Sequence, residues 1–192
     1  MRGTVIKVQA SEQFDEIEFQ AARTGNHVRA AVRMTQLARD VHAAGDGGMS
    51  RAEAHLRAGE QWLMADDAQA AAAEFQVAIE DGGPTFADPR VSLARALFTM
   101  DRADEARELI GVLEASRDHL TPRTCDLLAE LQVDNGDLRA ALDWADCGVR
   151  RCLDSDDKAE LRLLLSLRYR IRNDLGLPED DYDMLLDDRR GV

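Results

Sequence analysis

Aromatic residues make up only 5% of this 192-residue chain, which has 4 prolines and 3 cysteines. Few prolines and few β-branched runs leave little to punctuate or build a sheet. No apolar run approaches the roughly 18 residues that a membrane-spanning helix needs. No secretory signal opens the sequence, so a cytoplasmic protein with no membrane contact is expected. Cys125, Cys147 and Cys152 are odd in number and form no CxxC, which argues for reduced thiols. Cys147 and Cys152, five apart on one predicted helix, point to different sides, and each cysteine is expected to serve in packing. Positive charge is also short. The net charge of −13 and a pI near 4.7 argue against direct binding to a phosphate backbone. They leave a basic partner, or charge that serves only solubility.

What the chain has in quantity is helix-forming apolar residue. Hydrophobic residues reach 45%, mostly Ala and Leu. Between Ala52 and Leu153 they recur with a period of 35 residues. Gly59, Trp62, Ala71, Phe75 and Ala78 set a small–large pattern. Leu93-Ala94, Leu97, Ala106, Ile110 and Leu113 fall in the same slots, as do Leu128-Ala129, Ala141, Ala145 and Gly148. The turns Asp66-Asp67, Asp101-Arg102 and Gly136-Asp137 coincide, and a third slide puts Leu163-Leu164 in the matching slots of a last helix. Small residues let paired helices approach, and large ones from the next pair fill the gap. One pair cannot bury its apolar face alone, so such pairs stack.

This pattern resembles the tetratricopeptide repeat family. The first unit keeps Gly59, Trp62 in the Tyr slot, Ala71, Phe75 and Pro84, with His55 where a Trp stands in the family. The second keeps Leu93 and Ala106, and the third Leu128, Gly136-Asp137 and Ala141, with Gln132 in the Tyr slot. The stretch around Gly82-Gly83-Pro84 and Asp88-Pro89-Arg90 is similar to helical repeats of bacterial proteins. A Cys-rich zinc motif that some of those carry is absent, so no zinc role follows. The resemblance implies an all-α fold: a right-handed α-solenoid of antiparallel helix pairs with a C-terminal capping helix. It also implies a binding scaffold rather than an enzyme.

Four segments follow. Residues 1–10 hold the β-prone run Thr4–Val8, which is disordered, packs on the array or pairs with another chain. Residues 11–48 read as a degenerate helical pair ending in the Gly45–Gly48 joint. Its first helix presents Phe14, Ile17, Glu18 and Ala21, and its second Val28, Ala31, Leu37, Ala38 and Val41. Residues 49–175 hold three repeats and the capping helix. Ser50 and Glu53 form a capping box there. Arg162, Arg168, Arg170 and Arg172 supply the wet face of the capping helix. Residues 176–192 are an acidic tail. Its Tyr182, Met184, Leu185 and Leu186 either dock on a partner or fold back onto the arginines of the last helix.

In the family's geometry the concave face is lined by the first helix of each pair. Carried over residue by residue, it comprises Glu53, Leu56, Glu60 and Leu63, then Asp88, Val91, Arg95 and Phe98, then Arg123, Asp126 and Glu130, with Val133 at its end. The set mixes apolar and acidic residues, as a groove for a partner helix or peptide does. The alternative is that the acids are merely solvated and the apolar members pack inward. Family modules that grip a C-terminal carboxylate use Lys, Asn and Arg here. Leu56 and Glu60 stand in those slots, so a basic or amphipathic protein segment is the better ligand. No metal, cofactor or catalytic set is expected. The four histidines are scattered, Asp180–Asp183 lacks the glycine and distal glutamate of a calcium loop, and Gly45–Gly48 lacks the residues of a phosphate loop. The function expected is a non-catalytic scaffold for a partner peptide or helix. The alternatives are an acidic regulator that engages a basic partner through surface charge and its tail, and a self-assembling structural protein.

Overall fold

A computed structural model of the protein describes residues 10–41, 48–155 and 157–188. The Thr4–Val8 run, most of the Gly45–Gly48 joint and Arg189-Arg190 lie outside the described residues. Among the described residues the fold is all-α. The helices are α1 (Ala10–Thr24), α2 (His27–Asp40), α3 (Arg51–Met64), α4 (Ala68–Asp81), α5 (Pro89–Thr99), α6 (Ala103–Ala115), α7 (Pro122–Asp134), α8 (Leu138–Ser155), α9 (Lys158–Asp174) and α10 (Asp181–Asp188). No described helix is long and apolar enough to cross a membrane. The chain forms two compact units, Met1–Val112 and Leu113–Val192, whose boundary falls inside α6.

In the first unit α2, α3, α4 and α5 each start where a side chain can satisfy a free N–H group. Asn26 caps α2, Ser50 caps α3, Asp67 caps α4 and Asp88 caps α5 ahead of Pro89. The capping box forms only by half. Ser50 Oγ accepts from Glu53 N at 2.9 Å, but the Glu53 carboxylate accepts from Phe86 N, also at 2.9 Å. Ser50 Oγ in turn donates to Pro84 O. The pair thus fastens the start of α3 to the loop after α4.

Successive helices pack on one another, α1 on α2, α2 on α3, α3 on α4 and α4 on α5. Phe14, Ile17 and Ala21 of α1 share one apolar cluster with Ala30, Met34 and Ala38 of α2 and Ala54 and Ala58 of α3. The expected face of α2 is buried at Ala31, Ala38 and Val41, but Val28 is exposed, and Met34 joins the core. Glu18 is not in the core either; with Asp15 it binds the Arg57 guanidinium. α3 and α4 meet where Gly59 leaves room for the fully buried Phe75 ring. His55, in the slot of a family Trp, lies buried with its Nδ1 2.7 Å from Glu74 Oε2.

In the second unit α7 packs on α8 and α9, α8 on α9, and α10 on α9. Thr121 caps α7 and Asp157 caps α9. Gly148 brings α8 close to both neighbours: a β-carbon built there would lie 2.8 Å from Leu164 and 3.1 Å from the Cys125 Cβ. Trp144, 2% exposed, is capped by the Arg117 guanidinium at 4.4 Å from its ring centre.

The recurring turns share one backbone geometry. Asp66, Asp101 and Gly136 have φ of 61°, 59° and 79°. The residue after each donates back across the turn: Asp67 N to Trp62 O, Arg102 N to Leu97 O and Asp137 N to Gln132 O, at 2.9–3.0 Å. This six-to-one bond with a left-handed residue is how helices end when a short turn follows. Aspartate tolerates that conformation better than most residues with a β-carbon.

The same turn recurs a fourth time at Gly176, φ 68°, where Leu177 N donates to Arg172 O. That is forty residues after Gly136, not 35. α8 has 18 residues against 13 in α6 and α9 has 17 against 13 in α7, while the link between them is shorter, which together make the difference. The slots of Leu128-Ala129 consequently fall on Arg168-Tyr169 rather than on Leu163-Leu164. Arg168, expected on a wet face, is 2% exposed.

A candidate partner-binding groove

The buried Arg168 explains the tail. Its guanidinium donates to Asp146 of α8 and to Asp180 and Asp183, while Arg172 binds Asp180 and Asp183 as well. Hydrogen bonds from Arg168 hold the Asp180 carboxyl below the usual carboxylate range. Tyr182 stacks over Arg168 at 5.0 Å, and Leu186 enters the cluster of Val149, Leu161, Leu164 and Leu165. Fold-back onto the last helix is thus the tail's arrangement.

Once α10 is docked, α7, α9 and α10 border a groove of about 470 Å³. Arg123, Asp126 and Glu130 stand three and four residues apart on α7 and so share one helical face. Leu163, Ser166, Leu167 and Arg170 do the same on α9, and Tyr169 and Leu186 complete the lining. Leu167 and Leu186 are buried, but Leu163 is 55% exposed. The α9 wall presents exposed Leu163 beside Ser166 and Arg170, and the α7 wall presents Asp126 and Glu130 beside Arg123.

Arg123 is shared between two acids. Arg123 donates to Asp126 and lies 3.9 Å from Glu160 Oε1, which is buried and makes no hydrogen bond. Burial pushes the Asp126 carboxyl above the usual range, and Glu130 adds to the shift. Burial does the same to Glu160, with Asp126 as the next cause. Each carboxylate resists ionisation partly because its neighbour is also an acid. A cationic group placed among them would lower that strain. The described residues hold no group of three or more His, Cys, Asp or Glu placed to hold a metal ion.

Three of the concave-face residues expected from the sequence, Arg123, Asp126 and Glu130, are therefore brought together in one groove. Val133, near the end of α7, is half-buried, and the others lie in the first unit. There Leu56 and Val91 are 3% and 1% exposed, so they back the surface rather than form it. Asp88 caps α5 and Glu53 holds the Phe86 N–H. Glu60, Leu63, Arg95 and Phe98 are half-buried. The α9 wall was missed because a strict 35-residue slide assigns Leu161, Leu165 and Arg168 to the face. The lengthened last pair turns those inward and puts Leu163, Ser166 and Arg170 opposite α7.

Comparison with protein-family models and with curated protein sequences finds no match to this chain.

Proposed function

We propose that the protein is a non-catalytic interaction scaffold. It is built as a right-handed, tetratricopeptide-like solenoid of antiparallel helix pairs. Its α7–α9–α10 groove receives a basic, amphipathic helix or peptide of a partner protein. Support for the architecture comes from the turn geometry that returns at Asp66, Asp101, Gly136 and Gly176, since short turns between helices favour antiparallel neighbours. The observation that carries the function is the pairing of exposed Leu163 with carboxyls whose ionisation is suppressed by burial and by one another. An apolar side chain would cover the leucine, and a Lys or Arg would let both carboxylates ionise in place.

The reading in which the acidic tail itself engages a basic partner draws less support. Asp180 and Asp183 already bind Arg168 and Arg172.

The test is site-specific photo-crosslinking in cells of origin, with the crosslinking residue at Leu163 and, as a control, at exposed Arg150 of α8. Leu163 is expected to yield a defined product, mapped to a basic segment and lost in Glu130→Lys. Equal capture at both positions, or mapping to acidic segments, would contradict the reading.

A further inference from the structure

The three cysteines are reduced and buried, yet they are not equivalent. Cys125 of α7 and Cys147 of α8 are 22 positions apart in sequence, and Cys125 Sγ donates to Cys147 Sγ across 3.8 Å. The absence of a side chain at Gly148 lets α7 and α8 approach at this level. Closing the remaining gap to about 2.05 Å, the length of an S–S bond, needs a shift of under 2 Å shared by two side chains. Cys152 is apart from them, in the cluster of Val149, Leu161 and Leu164.

Two guanidinium groups, those of Arg117 and Arg151, bear on Cys147 and favour its thiolate. Each is fixed from elsewhere: Arg117 donates to Asp143 O and stacks on Trp144, and Arg151 donates to Arg117 O. Arg151 also carries a buried Nε–H with no hydrogen-bond partner. The Arg117 side chain is 28% exposed. Donation from Cys125, helped by the two arginines, lowers the Cys147 thiol, while the same contact and burial raise Cys125. Burial pushes Cys152 up to about 12. Cys147 is the more acidic sulfur, with a proton-bearing sulfur beside it, which is the arrangement of an attacking and a resolving thiol.

We propose that Cys125 and Cys147 form a peroxide-oxidisable dithiol, with Cys147 the attacking sulfur and Cys125 the resolving one. The Cys147 thiolate attacks one oxygen of hydrogen peroxide. The O–O bond breaks, the sulfur gains a hydroxyl as sulfenic acid, and the departing hydroxide takes a proton to leave as water. Cys125 sulfur then attacks Cys147 sulfur; the S–O bond breaks, the S–S bond forms, and the hydroxyl leaves with the Cys125 proton as a second water. Two electrons pass from the sulfur pair to the peroxide, and a thiol reductant reverses the change. The bridge would tie α7, and with it Arg123, Asp126 and Glu130, to α8.

The test exposes the folded, reduced full chain to stoichiometric hydrogen peroxide, alkylates remaining thiols under denaturation and maps the peptides by mass. The expected product links Cys125 to Cys147 within one chain, and forms at least about tenfold faster than any oxidation of Cys152, in line with the thiolate fractions. Cys125→Ser is expected to stop at a sulfenic acid on Cys147 that a cyclic dione traps, and Cys147→Ser to leave Cys125 reduced. Should either variant fail to fold, the wild-type map still decides. Oxidation of Cys152 at the same rate, a bridge between chains, or all thiols surviving in the folded protein would overturn the proposal.

Discussion

A β-carbon placed on Gly59 would lie 2.7 Å from Phe75 Cδ1 and closer still to Cε1 of the same ring. Phe75 is fully buried, so the ring has no open space to enter. Alanine at this position gains about 1 kcal/mol of helix propensity, but overpacking a filled interior costs about 1–3 kcal/mol. Gly59→Ala is expected to destabilise the protein in urea unfolding, and Phe75→Leu to reverse part of that loss when the two are combined. Additive effects of the two changes would show that α3 and α4 do not meet there.

Arg168 occupies the slot held by Leu128 in the preceding pair, and it is a charge where the pattern asks for an apolar residue. Its carboxylate partners, above all the buried Asp183, make that placement tolerable. Arg168→Ala is expected to cost up to about 3–5 kcal/mol, because it leaves the buried Asp183 with Arg172 as its remaining cation. The same change should open the Gly176–Glu179 link to limited proteolysis by releasing α10. A double change to Arg168→Leu and Asp183→Asn should recover much of the stability, since a neutral pair leaves no buried charge.

Glu160 supplies a prediction in pH. Its folded carboxyl is raised above the unfolded value, mainly by burial. Between those two values the folded chain holds a proton that the unfolded chain has lost, so stability falls as pH rises across that window. Above the window the ionised carboxylate remains a constant penalty. Glu160→Gln is therefore expected to raise the melting temperature at neutral pH, with the difference vanishing below the ordinary carboxylate range. A gain that persists unchanged in acid would assign the effect to packing.

Asp180 has the opposite sign. Its folded carboxyl is lowered by Arg168, so its contribution is present above the unfolded carboxylate value and is lost as pH falls through the folded one. Release of α10, followed by proteolysis of the tail, is expected as the solution is acidified through that window, and earlier in Asp180→Asn than in wild type.

Helix positions were legible because the signals are local. Ser50, Asp88 and Thr121 cap helices as their side chains dictate, and Gly82, φ 66°, ends α4 where the sequence turns to Gly-Gly-Pro. Faces were less legible. Val28 and Met34 are both apolar, and only the position of α3 decides which is covered. The last register was misread because both helices of the last pair are longer than those before and the link between them is shorter, and nothing in their composition marks the change. That slip hid both the burial of Arg168 and the α9 wall of the groove. The approach of Cys125 to Cys147 joins two helices and leaves no trace in spacing.

The most direct test of the scaffold reading is calorimetry on the segment captured at Leu163, made as a synthetic peptide and titrated into the full chain at low and at high salt. The account predicts binding that weakens as salt screens the acidic wall, and that falls by at least about tenfold in both Leu163→Asp and Glu130→Lys, a loss of about 1.4 kcal/mol. Binding indifferent to salt, and unchanged in both variants, would contradict it.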